Sequence, residues 1–365
     1  MKQKFYSLKN ILARDAHYNL VIGERSNGKT YSVLKYGLEK YVHTGEQMAI
    51  VRRWQDDFKG KRGAAMFDAL VENKEVEKLT SGEWTGVYYY AGRWYLCKYD
   101  EKGNRTAQEN PFAFAFAISS MEHDKSTSYP RVTTVMFDEF LTRSHYLPDE
   151  FVLFMNVLST IIRQRNNVKI FMLGNTVNKY CPYFGEMGLT HVKEMVPGDL
   201  EVYQYGDSEL RVAVEFSDSP NKNKPSNLYF AFNNPKLSMI TGKGTVWEIA
   251  VYPHKPVKFT SAQISFVFFI QFDGELLQCE VVTTDTVQFV FIHRKTTPLK
   301  SPDIDLIYSP DFDPRPNWKR KITNPMTELE QKIVRLFRAD KVYYQDNEVG
   351  EIVHNYLMWC GGSRT

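Results

Sequence analysis

The segment from Val21 to Thr30, V-I-G-E-R-S-N-G-K-T, constrains this chain more than any other. It carries glycine, four residues, then glycine-lysine-threonine, directly after an apolar run and before a helical pattern. In that context the spacing predicts a strand, a phosphate-gripping turn and a helix. Gly23 and Gly28 let backbone N–H groups turn inward, and the helix beginning near Lys29 adds the positive end of its dipole. Lys29 would reach the β- and γ-phosphates of a nucleotide, and the Thr30 hydroxyl would ligate magnesium, with Ser26 and Asn27 completing the loop. Arg25 could fold over the nucleotide, pair with Glu139 or be purely structural. ATP and Mg2+ are thus the expected cofactors.

A second element supplies carboxylates. Thr133–Phe137 reads as a buried strand ending in Asp138 and Glu139, which such a strand delivers to the sheet edge beside the phosphates. Asp138 would hold magnesium, mostly through water, and Glu139 would orient and deprotonate the attacking water. The alternative is an ordinary solvated strand terminus. A third strand, Val168–Leu173, leads to Asn175, whose neutral amide could bond the γ-phosphate or the water; a loop cap is the plainer role.

These motifs sit in a chain of 365 residues, room for roughly two domains at ~150 residues each. Short apolar runs alternate with helical patterns from Tyr18 to about Tyr203, including strands at Tyr18–Ile22, Met48–Arg52 and Ala113–Ser119 and a helix from Thr30 to Tyr41. The predicted class is α/β, a P-loop domain with a mainly parallel sheet. Aromatic residues Trp84–Tyr99, broken at Ala91-Gly92, suggest an inserted hairpin. Ser217–Asn227 gathers proline, serine and asparagine without periodicity and reads as a linker. The expected division is therefore 1–200, a linker region 201–245, and a smaller α+β domain 246–365. In the last, strands are expected at Ile264–Gln271, Glu275–Val282 and Thr286–His293, with helices from Asn324-Pro325 and after Asp346.

A formal net charge of only +3 means that any nucleic-acid contact must come from local basic clusters. Two are candidates: Lys59, Lys61 and Arg62, and Arg315, Lys319, Arg320 and Lys321 around Trp318, each equally readable as a solvated face. Cys97, Cys181, Cys279 and Cys360 form no C-x-x-C pair, so no zinc site or disulfide framework is expected and a reducing setting is. No apolar run approaches the ~18 residues of a membrane span, and residues 1–10 lack the apolar middle of a signal peptide. Arg163 and Arg165 precede the Asn175 strand, and Lys125 precedes the carboxylate strand. Each is a candidate cation for completing a neighbouring subunit's site.

With these residues in hand the chain resembles the DNA-packaging ATPases of phi-29-like small tailed phages, terminase-like and FtsK/HerA-related P-loop motors of the ASCE type. The resemblance rests on the Val21–Thr30 segment and Tyr31, on I-V-R-R-W from Ile50, on K-S-x-x-Y-P-x-V-x-T-x-x-F-D-E-F from Lys125, and on R-Q-R before L-G-N-x-V-N with Pro182-Tyr183-Phe184 beyond. It implies a homopentameric ring on the portal of an empty procapsid, driving double-stranded DNA inward, with a packaging RNA as a further candidate partner. It also implies a host-cytoplasmic protein, transiently at the portal vertex and absent from the mature virion. In the family the trans arginine matches Arg163 and a trans lysine matches Lys125. The family's lysine after the double arginine is Gln55 here. The C-terminal domain is expected to resemble an RNase H-like nuclease fold without its active site, since Ile264–Gln271 carries no carboxylate. Two other readings compete: another FtsK/HerA-type ring translocase or helicase, and a monomeric P-loop kinase or nucleotide switch.

Overall fold

Residues 6–25, 27–123, 127–142, 146–176, 178–218, 251–255 and 258–361 are described by a computed structural model of the chain. Two compact units emerge, residues 1–143 with 149–248, and residues 144–148 with 249–365.

Short runs buried on both faces cannot alternate polar and apolar, and they form the centre of a parallel sheet. The strands of the first unit are β1 (Tyr18–Gly23), β2 (Gln47–Arg52), β3 (Gly86–Tyr90), β4 (Arg93–Tyr99), β5 (Arg105–Ala107), β6 (Ala113–Ala117), β7 (Val132–Asp138), β8 (Lys169–Asn175), β9 (Leu200–Gln204) and β10 (Arg211–Phe216). Their order is β3-β4-β6-β2-β7-β8-β1-β10-β9, with β5 paired to β4. From β6 to β10 every neighbouring pair is parallel. Strand β8 lies between β1 and β7, with Gly23 opposite Asn175 and Asp138 opposite Leu173. Three functional candidates thus share one edge of the sheet.

The helix Lys29–Thr44 buries Val33, Leu34 and Leu38 in the same core as Met48 and Ile50 of β2. Each such side chain stabilises the fold by about 1.5–3 kcal/mol. The expected hairpin is β3 and β4, whose inner face presents Trp94 to Phe58 and Phe67, with ring centroids 6.0 and 5.7 Å apart. Trp94 Nε1 donates to the Gly63 carbonyl at 2.8 Å, satisfying the polar end of a fully buried ring.

The expected boundary at residue 200 is corrected by β9 and β10, because β10 pairs along β1 from Tyr18 opposite Val212 to Ile22 opposite Phe216. Residues 201–216 are a β-hairpin of strands β9 and β10 joined by a turn at 205–210, not linker; beyond Asp218 the linker lies outside the described residues. Arg211 and Glu215 disguise this apolar run in the sequence. Glu215 is buried, which pushes its carboxyl up, and it accepts a 2.6 Å hydrogen bond from the Tyr6 hydroxyl.

The second unit holds β11 (Ile264–Phe272), β12 (Glu275–Thr283), β13 (Gln288–Arg294), β14 (Ile307–Tyr308), β15 (Trp318–Lys319) and β16 (Val342–Tyr344), ordered β15-β14-β11-β12-β13-β16. The first three form an antiparallel meander, while β14 runs parallel to β11 and β15 parallel to β14. Strand β16 completes the sheet, parallel to β13. The helix expected at Asn324-Pro325 instead spans Glu328–Arg338, because Thr327 and Glu330 form a reciprocal capping box. A second helix, Asn347–Gly361, follows Asp346 as expected. Among the described residues, no helix is long and apolar enough to cross a membrane.

Candidate functional site

Where β1 ends, the chain turns through Gly28 at φ 93° and enters the helix at Lys29. That left-handed conformation suits glycine. Lys29 is buried, and its Nζ donates to the carbonyls of Gly23 (3.2 Å) and Glu24 (2.7 Å) and to the side-chain oxygens of Asn27 and Asn175 (both 3.2 Å). Burial lowers its pKa to about 8, against the opposing charges of Asp138 and Glu24. None of these four hydrogen-bond acceptors is a carboxylate. Lys29 can therefore exchange them for anionic oxygens without stranding a partner charge.

Thr30 Oγ1 donates to Asp138 Oδ1 at 3.0 Å, which brings a hydroxyl and a carboxylate together as hard oxygen ligands would be. The other Asp138 oxygen accepts from Arg52 Nη2 at 2.5 Å, and Arg52 Nη1 donates to Glu139 Oε2 at 2.9 Å. In this structure Glu139 pairs with Arg52, while the Arg25 side chain, one expected partner of Glu139, is exposed. Glu139 sits at φ 62°, a left-handed turn costing a non-glycine residue about 1–3 kcal/mol. Arg53 holds that turn, donating to the carbonyls of Glu139 (3.3 Å) and Phe140 (2.9 Å). Arg53 in turn makes a two-point bond to buried Glu150 at 2.7 and 2.8 Å, and Glu150 also accepts from the Tyr183 hydroxyl at 2.9 Å.

Arg52 and Arg53 were not singled out as site residues by the sequence. The available signal was the double arginine closing an apolar strand. What it lacked was the knowledge that β2 lies beside β7, which places Arg52 over both carboxylates and Arg53 under the turn.

The remaining candidates separate. Arg165 donates to five backbone carbonyls, those of Tyr129, Pro130, Val132, Ile161 and Ile162, at 2.7–3.1 Å. It is a structural clasp and cannot reach elsewhere without breaking them. Arg163 ends the helix Glu150–Ile162, exposed, with a 3.0 Å bond to the Thr127 carbonyl. Lys125 and Ser26 lie outside the described residues. In the first basic cluster Lys59 pairs with Asp56 at 2.6 Å and Arg62 donates weakly to the Asp56 carbonyl, while Lys61 is exposed. In the second, Arg315 is bound by Asp303 and Asp313, so its charge is already answered.

Fold and site together define a P-loop α/β protein whose added strand β8 separates the phosphate loop from the carboxylate strand, followed by a second sheet-based unit. The chain belongs to the podovirus DNA encapsidation protein (Gp16) family, whose family model matches residues 1–301. It is 26% identical over 292 residues to the DNA packaging protein of Bacillus phage PZA, covering 79% of each chain. To that of Bacillus phage phi29 it is 26% identical over 276 residues, covering 75% of this chain and 74% of the relative. Among solved structures, the Phi-28 gp11 DNA packaging motor superposes with a TM-score of 0.57 at 18% identity, covering 100% of both chains. The bacteriophage Phi-29 viral genome packaging motor assembly superposes at 0.53 and 20%, covering 96% of this chain and 98% of that one. These two likenesses support the fold.

Proposed function

We propose that the chain hydrolyses MgATP and uses it to drive double-stranded viral DNA through a portal into an empty procapsid, as one subunit of a homomeric ring. The observation that carries the chemistry is the convergence of Lys29, Thr30, Asp138, Glu139 and Asn175 at one sheet edge. Membership of the encapsidation family carries the task.

The residues fit the nucleotide and the metal. Lys29 and the loop N–H groups would hold the phosphates, and Thr30 and Asp138 the magnesium. Bound there, the ion would neutralise charge that develops on the phosphoryl oxygens. Asn175, already bonded to Lys29, would fix a γ-phosphate oxygen or the water. Glu139 has to leave Arg52 before it can take a proton from water, and its exposed position at the end of β7 leaves it room to move. Arg163, on the surface, would stabilise the transition state of a neighbouring subunit, with Lys125 as a second trans cation. A pentamer, a portal partner and a packaging RNA belong to this reading as inferences from kinship. So does location in the host cytoplasm, with transient residence on the procapsid.

A proton balance follows from Lys29. Burial holds its folded-state pKa at about 8, below the 10.5 of a free lysine, so folding sheds a proton between those values and stability rises with pH across that window. Phosphate beside Lys29 restores the charge. Titration calorimetry at pH 8.5, in two buffers of different ionisation enthalpy, should show net proton uptake on MgATP binding. Affinity should fall as pH rises above 8. Zero uptake would contradict the burial of Lys29 beside the phosphates.

The function itself is tested by the steady-state ATPase rate with and without double-stranded DNA. A translocase is stimulated. A rate indifferent to DNA would favour the kinase or switch reading.

A further inference from the structure

Asn27 and Ser217 are 190 residues apart and both almost fully buried, with relative exposures of 4% and 2%. Ser217 follows β10 directly. Its hydroxyl donates to the Ile22 carbonyl at 2.9 Å and accepts from Asn27 Nδ2 at 2.8 Å, while its backbone N–H donates to the same Ile22 carbonyl at 2.7 Å. A carbonyl can only accept, so the hydroxyl proton is committed to Ile22, and only its lone pairs face Asn27. That forces the Asn27 amide to point its NH2 group at Ser217 and its oxygen at Lys29. The oxygen accepts from the Lys29 backbone N–H at 3.3 Å and from Nζ at 3.2 Å. Reversing the amide would aim N–H groups at an ammonium. The packing is also close: a Cβ built on Gly23 would lie 2.1 Å from Ser217 Oγ and 3.0 Å from its carbonyl oxygen. The first glycine of the loop therefore has to be glycine because Ser217 occupies the space beside it.

From this geometry we propose that Ser217 is a positioning residue for the phosphate loop, setting the Asn27 amide and through it the Lys29 side chain. Its place at the exit of β10 makes it the point where the chain leaving the sheet is tied to the nucleotide loop. The proposal rests on the reading of that loop as the ATP site.

The test is a double-substitution cycle on the full chain, with fluorescent mant-ATP binding as the readout and a melting curve for each variant. Ser217→Ala and Asn27→Ala should each weaken mant-ATP binding about fivefold, the value of a typical buried hydrogen bond. The double variant should be no more than about twofold weaker than Asn27→Ala alone, because the two side chains act as one unit. Fold stability by itself produces no such non-additivity in ligand affinity. If Ser217→Ala does not fold, Ser217→Cys, with a weaker acceptor of similar shape, decides the matter on the same cycle. Multiplicative effects, or wild-type affinity in the Ser217 variant, overturn the proposal. Lys29→Ala run alongside separates the two ideas. Wild-type binding no tighter than that of Lys29→Ala overturns the ATP-site reading and this proposal together, whereas tight wild-type binding with a multiplicative cycle overturns this proposal alone.

Discussion

Glu139→Gln should leave MgATP bound within about threefold of wild type and lower turnover by about 10^2–10^4, the usual contribution of a general base. Among the described residues the side chain makes no bond to Lys29 or the loop; its bond is to Arg52, and it stands largely exposed at the end of β7. Glutamine keeps its shape and a hydrogen-bonding oxygen for Arg52 but cannot accept a proton at neutral pH. Lys29→Ala should fail differently, losing nucleotide affinity first, because it removes a contact made in the ground state. Single-turnover phosphate release and mant-ATP titration on the two variants separate binding from chemistry. A Glu139→Gln protein hydrolysing ATP near the wild-type rate would remove Glu139 from the role of base.

Arg163→Ala should lower ATP turnover by about 10^3 or more if its guanidinium stabilises the transition state across a subunit boundary. Mixing the variant with Glu139→Gln should then restore part of the activity. An Arg163→Ala subunit has a sound carboxylate site and cannot complete its neighbour's; a Glu139→Gln subunit has the opposite defect. A site with an intact Glu139 is complete when its neighbour has an intact Arg163; random assembly at equal ratio gives that neighbour to roughly half of the Glu139-bearing sites, about a quarter of all junctions, before ring coordination lowers the rate. The contrast with Arg165 sharpens the expectation. Arg165 is tied to five backbone carbonyls, so its loss should lower the melting temperature, whereas the exposed Arg163 side chain makes, among the described residues, a single carbonyl bond. The controls are each variant alone and labelled subunits that prove exchange. No recovery in proven mixed rings would assign Arg163 to its own subunit, and Lys125 would be tested next in the same way.

How much was legible in the sequence follows from where the information lies. The loop Gly23–Thr30, the strand ending at Asp138 and the strand ending at Asn175 are local patterns, and each lies where its own residues place it. The meander through Asp273-Gly274 was likewise local. The boundary at 200 failed because Arg211 and Glu215 break the apolar run of β10, and it is distant groups, the Tyr6 hydroxyl and the Arg14 charge, that make Glu215 tolerable inside. The helix expected at Pro325 failed because two N-cap signals lay three residues apart, and the reciprocal box of Thr327 and Glu330 won. Arg52, Arg53, Glu150 and Ser217 act through partners 33 to 195 residues away. No local pattern records such pairings; they exist only once β2 lies beside β7 and β10 beside β1.

The central claim is that this chain turns ATP hydrolysis into DNA movement through a portal. It is tested most directly by mixing the protein with portal-bearing procapsids, double-stranded DNA and MgATP, then measuring the DNA that survives added nuclease. Protected DNA should appear with wild-type protein and ATP, and vanish with Glu139→Gln, with a non-hydrolysed analogue, or with procapsids lacking the portal. Vigorous DNA-stimulated ATP hydrolysis with no protected DNA, under conditions where the procapsids are proven competent, would contradict the account and move the protein to another class of translocase.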